Sequence, residues 1–121
     1  MPSTVPHGKV CYLQIPAANI DESARFYSTV FGWHIRHRDD GTLAFDDTDS
    51  APGISGTWIT GRPPSEVPGI LVWIMVDDVA ATLEAIIAAG GEVVDPISGR
   101  DPEFIATYRD PSGNVLGISQ E

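Results

Sequence analysis

The sequence predicts an α+β fold: two tandem βαβββ modules with mainly antiparallel sheets, each carrying a helix on one face. Three observations predict it. A strand-like segment, "VCYLQIP" at residues 10–16, runs into a capped amphipathic helix that ends in glycine. The same order of strand, cap, apolar face and terminal glycine returns at a constant offset of 59 residues. Between the two copies, "GRPPSEVPG" at 61–69 is too rich in Pro and Gly to form an element, so it reads as a linker. The whole 121-residue chain is one domain, with module one at about 9–60 and module two at about 70–119.

In the first strand Cys11, Leu13 and Ile15 point one way and Val10, Tyr12 and Gln14 the other, because side chains alternate along a strand. The first set is assigned to the core. Asn19 with Glu22 three residues on starts the helix in the manner of a capping box. Ile20, Ala24, Tyr27 and Phe31 follow at helical spacing, and Gly32 supplies the left-handed terminus. "WHIRHR", "TLAFDD" and "GISGTWITG" then alternate as three strands, with Trp58 on the helix-packed side of its strand.

In the second copy Asp78 stands where Asn19 stood, Val79 where Ile20 stood, Leu83 for Ala24 and Gly91 for Gly32. "EVVDP", "FIATYR" and "NVLGIS" complete the module. Its first strand, "ILVWIMV", is apolar on both faces: Ile70, Val72, Ile74 and Val76 form a β-branched core side, and Leu71, Trp73 and Met75 point away from it. A sheet with a helix on one side normally offers water a polar opposite face. Here the apolar opposite face calls for a cover, either a cleft between the modules' sheets or a second chain.

A formal net charge of -10 argues against nucleic-acid and anionic-membrane partners, which would be repelled. The single cysteine, Cys11, makes no internal disulfide and fits a reducing compartment. The amino-terminal "MPSTVPHGKV" has no apolar run of signal length, and no stretch approaches 18 apolar residues. These features predict a cytoplasmic location.

"IPAANIDESARFYSTVFGW" in the first module, and "VDDVAATLEAIIAAGGEVV" with "YRDPSGNVLGI" in the second, resemble the vicinal oxygen chelate superfamily. That superfamily contains glyoxalase I, bleomycin-resistance proteins and extradiol dioxygenases. The resemblance runs from about residue 9 to residue 119 and is nearest to small proteins related to lactoylglutathione lyase. It implies curved sheets that enclose a cleft, each forming half of it, with the helices on the outer face and the cleft commonly completed across a homodimer.

In metal-dependent members four His, Glu or Gln side chains, from the first and last strands of each module, bind a divalent ion. Carried over, those positions fall on Tyr12, Leu71, Gly117 and Thr57. Leu and Gly offer no donor atom, Thr is a weak one, and Tyr needs its pKa of about 10 lowered to coordinate well. The expectation is therefore no metal and no cofactor.

What remains for a ligand is the face bearing Tyr12, Gln14, Thr57, Leu71, Trp73, Met75, Gly117 and Ser119. Trp and Tyr give area with a polar handle, Met adapts its shape, and Gln14 can orient a carbonyl or amino group. The reading is a small-molecule-binding homodimer for an apolar or aromatic ligand, with bleomycin resistance as the family analogy. The alternative is a lyase or isomerase, metal-independent or with a rearranged site, in which Tyr12 or Tyr108 acts as acid or base. Arg100, Arg109 and Tyr108 are secondary candidates for an anionic group, with Arg109 also able to pair with Asp110. His34 and His37, three apart in a strand, face opposite sides and cannot share an ion. Asp39 and Asp40 fall in a turn, His7 in the terminus, and "DPSGN" reads as a turn.

Overall fold

The computed structural model describes residues 5–49 and 53–121. The first four residues of the amino-terminal stretch lie outside them. The chain divides into two units, Met1–Arg62 and Pro63–Glu121.

The first unit runs β1 (Tyr12–Pro16), α1 (Ile20–Phe31), β2 (His34–His37), β3 (Leu43–Asp46) and β4 (Ser55–Ile59). The second runs β5 (Trp73–Met75), α2 (Val79–Ala88), β6 (Glu92–Arg100), β7 (Glu103–Arg109) and β8 (Val115–Ser119). Each is the predicted βαβββ module. Strand order is β1-β4-β3-β2 in one sheet and β5-β8-β7-β6 in the other, so the two copies share one topology. In both, the first strand pairs in parallel with the last and the remaining pairings are antiparallel.

Both helices start as the sequence dictates. The side chains of Asn19 and Asp78 accept from the backbone N–H groups of Glu22 and Ala81, each at 3.0 Å, which satisfies one orphan donor per helix. Gly32 closes α1 in the left-handed region at φ 73°. In α2 the corresponding glycine is Gly90, at φ 101°, and not Gly91. The helix has 10 residues against 12 in α1, so the repeat loses register at this end.

One face of each sheet is closed by its helix. In the first unit Phe26, Tyr27, Trp33, Phe45 and Trp58 are buried together. Tyr27 stacks on Trp33 with ring centroids 4.6 Å apart, and Trp33 on Phe45 at 4.5 Å. Gly56 belongs here because a Cβ would lie inside 3.0 Å of both the Leu13 carbonyl and the Phe45 ring. In the second unit Val79 and Ile86 of α2 are buried, as are Ala106 and Tyr108 of β7 and Leu116 and Ile118 of β8.

Two core assignments are corrected. Cys11 is exposed, and Ile70 is 88% exposed, because β1 begins at Tyr12 and β5 at Trp73; both residues precede the paired strands. Alternation assigns a side chain to a sheet face only where the register sets it against a partner residue, which it does from Tyr12 and from Trp73 onward. β6 also continues past the predicted "EVVDP" to Arg100, with irregular register between Val93 and Ser98.

Candidate functional site

Residues paired across adjacent strands share a face, so the registers locate the side chains opposite each helix. In the first sheet Tyr12 lies beside Ser55, Ser55 beside Asp46, and Asp46 beside His34. The next row is Gln14, Thr57, Ala44 and Arg36. This open face is polar. Arg36 donates to Asp46 through Nε at 2.6 Å and Nη2 at 3.3 Å, a two-point contact. Ser55 Oγ donates to the same carboxylate at 2.6 Å. The Arg36 hydrogen bond, aided by that of Ser55, holds the Asp46 carboxyl below its ordinary range. In turn Asp46 raises the Arg36 pKa.

Over these rows runs a second contact. Arg38, following β2 at one edge, donates to the phenol oxygen of Tyr12 on β1 at the other edge. Its guanidinium carbon stands 5.9 Å from the Tyr12 ring centroid. Ala44, in the middle of the sheet, has no exposed surface.

The second sheet's open face differs in character. One row is Trp73, Gly117, Thr107 and Asp95; the next is Met75, Ser119, Ile105 and Ser98. Trp73, Met75 and Ile105 are 46%, 60% and 44% exposed. The indole of Trp73 lies across Gly117: a Cβ there would fall inside 3.0 Å of three atoms of its six-membered ring. The absence of a side chain at 117 thus seats the ring on the backbone and leaves its other side open.

Of the eight predicted site residues, Tyr12, Gln14 and Thr57 share the first sheet's open face, and Trp73, Met75, Gly117 and Ser119 the second's. Leu71 precedes β5 and is half-buried. Two secondary candidates are corrected. Tyr108 is fully buried on the helix side of β7, out of a ligand's reach. Arg109 lies 3.8 Å from Glu92 and does not pair with Asp110, whose carboxylate folds back to accept from the backbone of Ser112 and Asn114, each at 3.0 Å. Arg100 ends β6 beside Glu103. Sequence reading missed Arg36, Asp46, Ser55 and Arg38 around Tyr12, and Asp95, Thr107 and Ile105 beside Trp73. Alternation places each on its face, but only pairing register shows which strands are neighbours.

The chain matches the model of the glyoxalase-like domain over residues 12–119. It belongs to that family. It is 30% identical over 122 residues to a glyoxylase-like domain-containing protein of Didymella fabae, covering 94% of each chain. A probable lactoylglutathione lyase of Vibrio parahaemolyticus is 28% identical, with 94% of this chain and 91% of that one covered. Among solved structures, the fosfomycin resistance protein FosX of Mesorhizobium loti superimposes with a TM-score of 0.73 at 13% identity, covering 97% of this chain and 94% of that one. At that identity the likeness concerns the fold.

The metal positions implied by the superfamily are poorly furnished for an ion. Leu71 and Gly117 carry no donor, and the space above Gly117 is taken by the Trp73 ring. The Thr57 hydroxyl donates to the Leu43 carbonyl at 2.6 Å, and the Tyr12 oxygen receives Arg38. Among the described residues, no group of three or more His, Cys, Asp or Glu could hold a metal ion. These residues do not fit the group. No helix among the described residues is long and apolar enough to cross a membrane.

Proposed function

We propose that this protein is a metal-free small-molecule-binding member of the glyoxalase-like family whose ligand is apolar or aromatic. The observation that carries this reading is the half-exposed Trp73 ring, seated on Gly117 and flanked by Met75 and Ile105. An indole fixed from below and open above offers a flat surface for stacking, with a thioether and a branched aliphatic chain beside it. Ser119, in the next row of the same sheet beside Met75, extends this face.

The name of the Vibrio relative favours a second reading, a lyase. With Tyr27 and Tyr108 fully buried, Tyr12 is the tyrosine of this chain accessible for proton transfer. Its oxygen already accepts from Arg38, so its hydroxyl proton remains free to be donated.

Metal content of the purified, untagged protein, measured with a divalent-ion thermal-shift titration, is the first test. Sub-stoichiometric metal and an unmoved melting point support the metal-free reading. One equivalent of copurifying ion that stabilises the fold overturns it. A library of small aromatics screened by tryptophan quenching then tests binding, with Trp73→Phe expected to abolish the signal. Turnover that disappears in Tyr12→Phe would favour the lyase.

A further inference from the structure

We propose that the ligand is a planar aromatic cation, stacked on Trp73 with its positive group directed to Asp95. This rests on the proposed binding reading and names the ligand class. The register row Trp73, Gly117, Thr107, Asp95 puts an aromatic platform and a carboxylate on the same face of one sheet. Thr107 Oγ1 donates to Asp95 Oδ2 at 2.7 Å and accepts the Asp95 N–H at 2.9 Å. Those two contacts fix the carboxylate leaning toward β7.

Asp95 is exposed, and among the described residues no cation stands within ion-pair distance of it. The other charges on this face are otherwise engaged or remote: Glu92 faces Arg109 at 3.8 Å, and Arg100 and Glu103 are neighbours at the far end of the β6–β7 pair. Thus the carboxylate in the row of the indole carries a charge that no side chain balances among the described residues.

The spacing suits a single small molecule. The indole already covers Gly117 on β8, and the carboxylate leans toward Thr107 on β7, so the two are separated by roughly one and a half strand spacings, about 7 Å. A fused-ring system lying on Trp73 bridges that gap with one amino substituent. The cation gains twice, from the π face of the indole and from the carboxylate. The chain's net charge of -10 adds a long-range attraction of the same sign.

The test compares proflavine, a planar cation in mildly alkaline buffer, with acridine, its neutral ring analogue, by tryptophan quenching and calorimetry. Wild-type protein is expected to bind proflavine more tightly, and Asp95→Asn to lose about fivefold of that affinity while leaving acridine unchanged. Asp21→Asn, on the exposed first turn of α1, removes the same charge elsewhere and is expected to change neither. Equal losses in the two variants would mean that only net charge matters and would overturn the assignment to Asp95. Acridine binding as tightly as proflavine, with both lost in Trp73→Phe, overturns the cation while preserving the stacking site. Neither dye binding wild-type protein overturns both readings.

Discussion

The guanidinium of Arg38 donates to the phenol oxygen of Tyr12, 26 residues earlier, so that two long side chains span the open face of the first sheet from edge to edge. Both residues are exposed, and the contact is a hydrogen bond together with a cation over a ring face. Such a strap orders the face more than it stabilises the fold. Arg38→Ala is expected to lower unfolding free energy by less than about 1 kcal/mol in urea titration. Tyr12→Phe, which keeps the ring face, is expected to lose less than Arg38→Ala.

Acid should weaken the first unit through Asp46. Its pKa is depressed in the folded chain by Arg36 first and Ser55 second. The resulting stabilisation is fully present above the unfolded carboxyl value of about 3.9 and disappears as pH falls below it through the folded value. Asp46→Asn is expected to be less stable than wild type near neutrality, the gap closing at low pH. A gap that stays constant across that range would assign the loss to packing.

Two glycines, each on the last strand of its module but facing opposite sides of their sheets, should respond differently to alanine. At Gly56 the obstruction is a backbone carbonyl and the fully buried Phe45, neither free to yield. Gly56→Ala is expected to cost about 3 kcal/mol or more, or to prevent folding. At Gly117 the obstruction is the half-exposed Trp73, which can swing outward. Gly117→Ala is expected to cost much less in urea titration, while iodide quenching of tryptophan emission rises because the indole leaves its seat.

The helix caps give a matched pair. Asn19 and Asp78 each accept one backbone N–H at 3.0 Å. Asn19→Ala and Asp78→Ala should each cost about 1 kcal/mol, measured by chemical denaturation. A markedly larger loss in one variant would show that its side chain holds more than the helix end.

The sequence by itself determined the duplication, the caps, the helix faces and the strand inventory, because these depend on contacts between residues close in the chain. Asn19 and Glu22 are three apart, and the apolar stripe of α1 repeats within single turns. It also determined that the superfamily's metal positions hold Tyr12, Thr57, Leu71 and Gly117, since residue chemistry needs no coordinates. Only the tertiary structure decided which strand ends are paired, and so left Cys11 and Ile70 exposed where alternation placed them in the core. It also decided which distant residues become neighbours: Arg38 with Tyr12, Arg36 and Ser55 with Asp46, and the indole of Trp73 with the bare backbone of Gly117. The physical reason is that strand register joins residues tens of positions apart through backbone hydrogen bonds, which every residue but proline can both donate and accept. The side-chain pattern of one strand shows which face a residue takes, but not which strand lies beside it.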